Sequence, residues 1–153
     1  MRVGLCWQGS TSHRNDSNRS IPVAELAGLQ VVTGVTWMAL CPDGWRQEMA
    51  DNAGLVNGLD GCVDWFDTAA VVRRLDLVIT VDTALAHLAG GCGVPVWIML
   101  AAVPDFRWGL ASTTTPWYTS ARLYRQRVAG TWSDVIARVA ADLQQECLAR
   151  RSA

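Results

Sequence analysis

Residues 75–100 read Leu75-Asp76-Leu77-Val78-Ile79-Thr80-Val81-Asp82-Thr83-Ala84-Leu85-Ala86-His87-Leu88-Ala89-Gly90-Gly91-Cys92-Gly93-Val94-Pro95-Val96-Trp97-Ile98-Met99-Leu100. Two apolar runs, Asp76–Val81 and Pro95–Leu100, have the length of buried strands. Between them, polar groups occur only where the first run hands over to Asp82-Thr83, and Gly93 closes a short helical stretch. The segment predicts strand, tight turn, short helix, strand. Open α/β sheets built from such units bind ligands at the carboxyl ends of their strands. A helix N-terminus at that edge presents N–H groups that lack intrahelical partners and suit an anion. A phosphate-bearing small molecule is therefore the expected ligand.

Working outward, Arg2–Trp7 alternates and predicts a first strand, followed by a polar loop from Gln8 to Arg19. Ser20, with Pro22 just inside, marks a helix start, and the helix is expected to run to about Val32. Gly34 breaks it, and Val35–Leu40 is a second strand. Pro42-Asp43-Gly44 reads as a turn, Trp45–Asn52 as a helical turn, and Leu55–Leu59 as a weak strand. Asp67-Thr68-Ala69-Ala70 resembles a capped helix start, running to Leu75. After Leu100 comes an aromatic segment from Pro104 to Tyr124, with Leu123–Gln126 as an edge strand. Thr131 opens the last helix, with Asp134 completing a near capping box. Val135, Val139 and Leu143, with Ile136, Ala140 and Leu148, give that helix an apolar face. Strands alternating with helices predict one α/β domain over residues 1–153, a Rossmann-like parallel sheet with helices on both faces.

Composition narrows the ligand. The chain has 153 residues, 50% hydrophobic and 18% charged, which suits one globular domain with a real core. A net charge of −1 gives no electrostatic reason to expect nucleic acid or an anionic membrane. All 13 basic residues are arginine, so Schiff-base and phosphate-binding lysines are excluded and any fixed cation is Arg, whose planar fork suits phosphate. The 5 cysteines are irregularly spaced and form no zinc clip; Cys6 and Cys92 read as small core residues. Reduced thiols point to the cytoplasm. The N-terminal apolar run is too short for a signal peptide, and the longest one, Val94–Pro104, is well short of the ~20 residues that cross a bilayer.

Four stretches carry candidate chemistry. Thr83 and His87 share one face of the helix after Asp82, opposite the apolar Leu85, Leu88, Ala89 and Cys92. Gly90 and Gly91 let a backbone or a ligand approach closely. The competing reading makes Asp82 and Thr83 plain caps and His87 a structural histidine. The loop Gly9–Arg19, with Ser10, His13, Arg14, Asn15, Asp16 and Arg19, has the small and basic residues to close over a diphosphate, or is a solvated surface loop. Asp64-Trp65-Phe66-Asp67-Thr68 suits a nucleoside, an acid for the ribose beside an aromatic ring, or is core plus cap. Pro104–Trp108 and Pro116–Tyr118 line a sugar cleft, dock a neighbouring domain, or cover this domain's own core; 8 tryptophans is a high number for this length. No Asp-x-Asp pair, P-loop, Gly-x-Gly-x-x-Gly after the first strand or Gly-x-Ser-x-Gly elbow occurs. The 2 histidines are far apart, which disfavours a metal site.

The motifs Gly4-Leu5-Cys6-Trp7-Gln8-Gly9, Asn15–Pro22, Asp67–Ala70, Leu75–Ala84, His87–Gly90, Pro95–Trp97, Pro104–Trp108, Pro116–Tyr118 and Leu123–Gln126 follow one another in an order that resembles the C-terminal half of glycosyltransferase family 9, the heptosyltransferase-like family. The closest similarity is to the group often fused to tetratricopeptide repeats. The resemblance implies one half of a GT-B fold, in which this domain binds a nucleotide sugar, ADP- or UDP-linked, without a metal or other cofactor. It implies Gly9, Ser10 and Arg19 near the phosphates, Asp64 near the nucleoside, and Asp82, Thr83, Ala84 and His87 on the diphosphate and sugar. The family's heptosyltransferases use a lysine in the first loop, for which Arg19 is the substitute here. The implied reaction is inverting transfer of a sugar such as a heptose to a glycan or protein acceptor, in a bacterial, cytoplasmic enzyme. The acceptor domain and its general base are expected outside these residues, so the chain is expected to bind a donor weakly and not to transfer by itself. A non-catalytic nucleotide-binding or protein-interaction module is the alternative.

Overall fold

The structure, a computed structural model, describes residues 1–41 and 54–152. The predicted turn Pro42-Asp43-Gly44 and the helical turn Trp45–Asn52 lie outside the described residues. Six strands, β1 (Arg2–Cys6), β2 (Thr36–Ala39), β3 (Leu55–Asn57), β4 (Leu77–Val81), β5 (Val96–Leu100) and β6 (Ala121–Arg125), form one sheet in the order β3-β2-β1-β4-β5-β6. Every pairing is parallel. The fold is α/β and Rossmann-like, as the alternation of strand and helix predicts.

β4 and β5 are buried at every position. That is why their sequences run apolar without alternation: helices cover a parallel sheet on both faces. Among the described residues the helices are α1 (Asp16–Arg19), α2 (Ala27–Gln30), α3 (Trp65–Val72), α4 (Ala84–Gly91) and α5 (Ser133–Arg151). α2 packs against α5, and α3 against α4. Right-handed crossovers put these two pairs on opposite faces of the sheet. The α2–α5 approach is close enough that a methyl at Gly28 would sit 2.7 Å from Ile136 Cγ2. Val135, Val139 and Leu143 of α5 are fully buried. None of the described helices is long and apolar enough to cross a membrane.

Three helix starts differ from the sequence reading, each for a local reason. The helix expected from Ser20 to Val32 is a 3-10 turn, Val23–Leu26, followed by α2, because Ser20 and Pro22 have extended ψ values of 145° and 133°. α3 is capped by Asp64, not by Asp67. Asp64 is extended, and its carboxylate accepts N–H bonds from Phe66 at 2.8 Å and Asp67 at 3.0 Å. Asp67 instead turns back and accepts the Val63 amide at 3.0 Å, so the two acids close the helix start reciprocally. α5 begins at Ser133, with Trp132 at its cap position making no side-chain cap bond.

Far from the carboxyl edge, Asp76 ties the sheet to the last helix. Its Oδ2 accepts the Arg2 amide at 2.6 Å, and its Oδ1 lies 3.4 Å from Arg150 Nη1. The Arg2 amide, ahead of the Arg150 and Arg2 charges, holds this carboxyl below its ordinary value of 3.8. A depressed carboxyl stabilises the fold fully above its unfolded value and loses that contribution as pH falls through its folded value. Asp76→Asn should therefore lower stability at pH 7 by about 1.5–3 kcal/mol, the size of a hydrogen bond to a charged group. The difference from wild type should shrink as pH falls below 3.8 and through the lower folded value, where the wild-type carboxyl is also protonated. Urea denaturation across pH tests this; a gap independent of pH would refute it.

Candidate functional site

β1 and β4 are neighbours, paired from Val3↔Leu77 to Cys6↔Thr80, yet the connections that follow them leave in opposite directions because the strand order reverses there. A crevice opens at such a reversal, outside the carboxyl ends of the strands. Here it is a cleft of about 1070 Å³. Gln8, Gly9, Ser10 and Arg19 line it from the first loop, and Asn57, Leu59, Cys62 to Trp65 and Thr68 from the chain between β3 and α3. Thr83, Ala84 and Leu85 line it at the start of α4, and Cys6, Leu40 and Cys41 lie at the ends of β1 and β2.

Arg19 joins the two sides of the strand reversal. Its Nη1 donates to the Asp82 carbonyl at 2.7 Å, and its Nε to Asp16 Oδ1 at 3.1 Å. Both members of the Arg19–Asp16 pair are largely covered, at 15% and 14% side-chain exposure, so the guanidinium is held rather than waving in solvent. The short helix α1 makes this possible by returning the chain towards β1: Ser20 N bonds to Asp16 O, and Ile21 N to Trp7 O. Gly9 suits the same arrangement, because a side chain there would displace the Arg19 guanidinium. A Cβ there would overlap the Arg19 guanidinium and sit 2.8 Å from Asp16 Oδ1. The Gly9 amide is steered by Ser20 Oγ at 3.2 Å. Arg19 still has N–H groups beyond these two bonds, since a guanidinium carries five.

Thr83 is the N-cap of α4, extended, with Oγ1 accepting the Leu85 amide at 3.3 Å. A second hydroxyl, on the fully buried Thr80, stands 3.2 Å from Thr83 Oγ1 and bonds the Val81 carbonyl. The Ala86 amide bonds the Thr83 carbonyl. Opening amides, the positive end of the helix dipole and a nearby guanidinium therefore converge on one side of the cleft, an arrangement that favours an anion.

Of the residues singled out in the sequence, Gly9, Ser10, Arg19, Asp64, Thr83 and Ala84 line the cleft. Asp82 contributes its backbone carbonyl to Arg19. His87 lies elsewhere. Although it shares a helix face with Thr83, its Nδ1 is 2.9 Å from Tyr118 Oη and its ring stacks on Trp108 at 5.2 Å between centroids. Gly90 serves this cluster: the close approach expected there is made by the Tyr118 ring, which a Cβ would overlap. The aromatic segment thus divides. Trp108 is buried, while Phe106 and Trp117 are 84% and 60% exposed. Arg125, on β6, holds the intervening loop by donating to the carbonyls of Trp108, Gly109 and Ser112.

Sequence reading missed Cys41, Cys62 and Asn57 in the cleft. Cys41 directly follows the predicted second strand, so its place at the carboxyl edge was available from register alone.

No protein-family model matches the chain. Protein FlbA of Caulobacter vibrioides is 27% identical over 150 residues, which cover 94% of this chain and 25% of FlbA. Among solved structures, E. coli ADP-heptose lipopolysaccharide heptosyltransferase II superposes with a TM-score of 0.65 at 18% identity, over 99% of this chain and 47% of that one. E. coli heptosyltransferase WaaC with ADP gives 0.60 at 14%, covering 97% and 43%. A family 9 glycosyltransferase of Veillonella parvula gives 0.58 at 14%, covering 82% and 35%. The chain has a glycosyltransferase-like α/β fold. It spans a quarter of FlbA and less than half of each of these enzymes.

The Gly90–Tyr118 contact yields a direct check. Gly90→Ala should destabilise by about 1–3 kcal/mol through overpacking. Gly91→Ala, with nothing within 4 Å of the added methyl, should be neutral or slightly stabilising. Equal melting temperatures for the two variants would show that Tyr118 does not pack on α4 as described.

Proposed function

We propose that this chain is the donor-binding part of a metal-independent, inverting glycosyltransferase of the family 9 type, acting in the cytoplasm. Its ligand is a nucleotide diphosphate sugar, ADP- or UDP-linked, carrying a sugar such as a heptose for a glycan or protein acceptor. The observation that carries this reading is the convergence, at the strand reversal, of the Arg19 guanidinium and the Thr83-capped start of α4 on one cleft. The likeness in fold to family 9 enzymes supports it.

In this reading the diphosphate lies against Gly9, Ser10, Arg19 and the amides that open α4. Asp82 acts through its carbonyl by orienting Arg19. Asp64 and Trp65 flank the nucleoside from the far side of the cleft. His87, held by Tyr118 and Trp108 outside the cleft lining, makes no contact with the donor in this reading. During transfer an acceptor hydroxyl attacks the anomeric carbon and the nucleoside diphosphate departs. Arg19 and the helix dipole stabilise the charge that develops on the leaving oxygen, as preorganised dipoles do. The base that takes the hydroxyl proton, and the acceptor site, belong to a further domain or a tetratricopeptide-repeat segment.

A second reading, a protein-interaction module, draws on the exposed Phe106, Leu110 and Trp117 beyond β5. Calorimetric titration with ADP- and UDP-sugars separates the two. The donor reading predicts saturable binding, weakened roughly 10- to 100-fold in Arg19→Ala, the equivalent of one charge-assisted hydrogen bond. It also predicts no sugar transfer by the chain alone. A folded chain that binds no nucleotide overturns the donor reading and favours the interaction module.

A further inference from the structure

The two core thiols nearest the cleft are not ordinary packing residues. Cys6 ends β1, and Cys41 follows β2 on the neighbouring parallel strand, beyond the Leu5↔Ala39 pair. Their sulfurs are 3.7 Å apart, Cys41 Sγ–H donating to Cys6 Sγ. The Cys6 sulfur is 3.3 Å from the Gln8 carbonyl, and the Trp7 amide donates to Cys41 Sγ at 3.4 Å. Both residues border the cleft, yet they are 1% and 0% exposed, so the pair lies beneath the cleft floor and an oxidant reaches it only through that floor.

We propose that Cys6 and Cys41 form a redox site: a dithiol that a small hydroperoxide oxidises to a disulfide linking the carboxyl ends of β1 and β2 beneath the cleft. The two thiols are not equivalent. The Cys41 S–H, opposed by burial and helped by the Thr80 hydroxyl, the Gln8 backbone and the Thr83 hydroxyl, lowers the Cys6 thiol from its ordinary value, whereas burial, then the bond to and charge of Cys6, pushes the Cys41 thiol up. Cys6 is therefore the attacking sulfur and Cys41 the resolving one. Cys6 attacks one peroxide oxygen. The O–O bond breaks, the other oxygen leaves as the alcohol or water carrying the Cys6 proton, and Cys6 becomes a sulfenic acid. Cys41 then displaces hydroxide from the Cys6 sulfur, and its own proton completes a water molecule. Two electrons pass from the thiols to the peroxide.

Closure brings the sulfurs from 3.7 Å to the ~2.05 Å of a disulfide and draws Cys6 away from the Gln8 carbonyl, at the root of the loop that carries Gly9 and Arg19. Cys62, the third thiol of the cleft, is held protonated by burial and by the charges of Asp67, Asp64 and Asp60, so it is the poorer nucleophile. The site does not depend on which ligand the cleft takes.

The test is limited hydrogen peroxide treatment of the chain, quenching with an alkylating reagent, intact mass, and peptide mapping without reduction. The expected result is loss of two hydrogen atoms and a peptide pair joined through Cys6 and Cys41, reversed by dithiothreitol. Cys41→Ser should stop at a Cys6 sulfenic acid that dimedone traps. The proposal is overturned if Cys6 and Cys41 are both recovered as thiols after Cys62 and Cys92 have oxidised. It is equally overturned if the crosslink joins either of them to Cys62. Mapping of the wild-type chain decides the matter even if the variant fails to fold.

Discussion

The bond from Arg19 to the Asp82 carbonyl spans the place in the sheet where the strand order reverses. Between β1 and β4 the connections that follow the strands diverge, and a crevice is the result. A guanidinium laid across it, anchored by Asp16 on one side and a backbone carbonyl on the other, fixes the width of that crevice. It also places positive charge beside a helix start. The same residue thus sets the shape and the sign of the cleft, and a side chain at the neighbouring Gly9 would displace it.

A second unit stands next to the cleft and is built differently. His87, Trp108 and Tyr118 form an interlocked aromatic cluster against α4, supported by Gly90 and by the carbonyl clamp of Arg125. It is aromatic where the first loop is polar. One helix, α4, serves both: its first residues face the cleft, and its second turn carries His87 and Gly90. Movement of α4 would change the two together.

The fold was legible because β4 and β5 are buried on both faces, leaving continuous apolar runs that only a covered parallel sheet explains. A cap at Asp82 or Thr83 was legible because both residue types favour that position, and the backbone decides for Thr83. Helix starts were less so. Asp64 and Asp67 both suit a cap, and only the backbone at Asp64 decides between them. The i, i+4 spacing put His87 on the Thr83 face, but it could not reveal that Tyr118, 31 residues later, captures the imidazole. The Cys6–Cys41 contact escaped for the same reason, because a pairing across strands depends on register rather than on sequence separation.

The most direct measurement is amide hydrogen exchange of the chain with and without a saturating nucleotide diphosphate. If the crevice at the strand reversal is the ligand site, the amides of Gly9, Ser10 and Thr83 to Leu85 gain protection, and those of Phe106 to Trp117 do not. Protection confined to the aromatic segment, or none at the start of α4, would contradict the account.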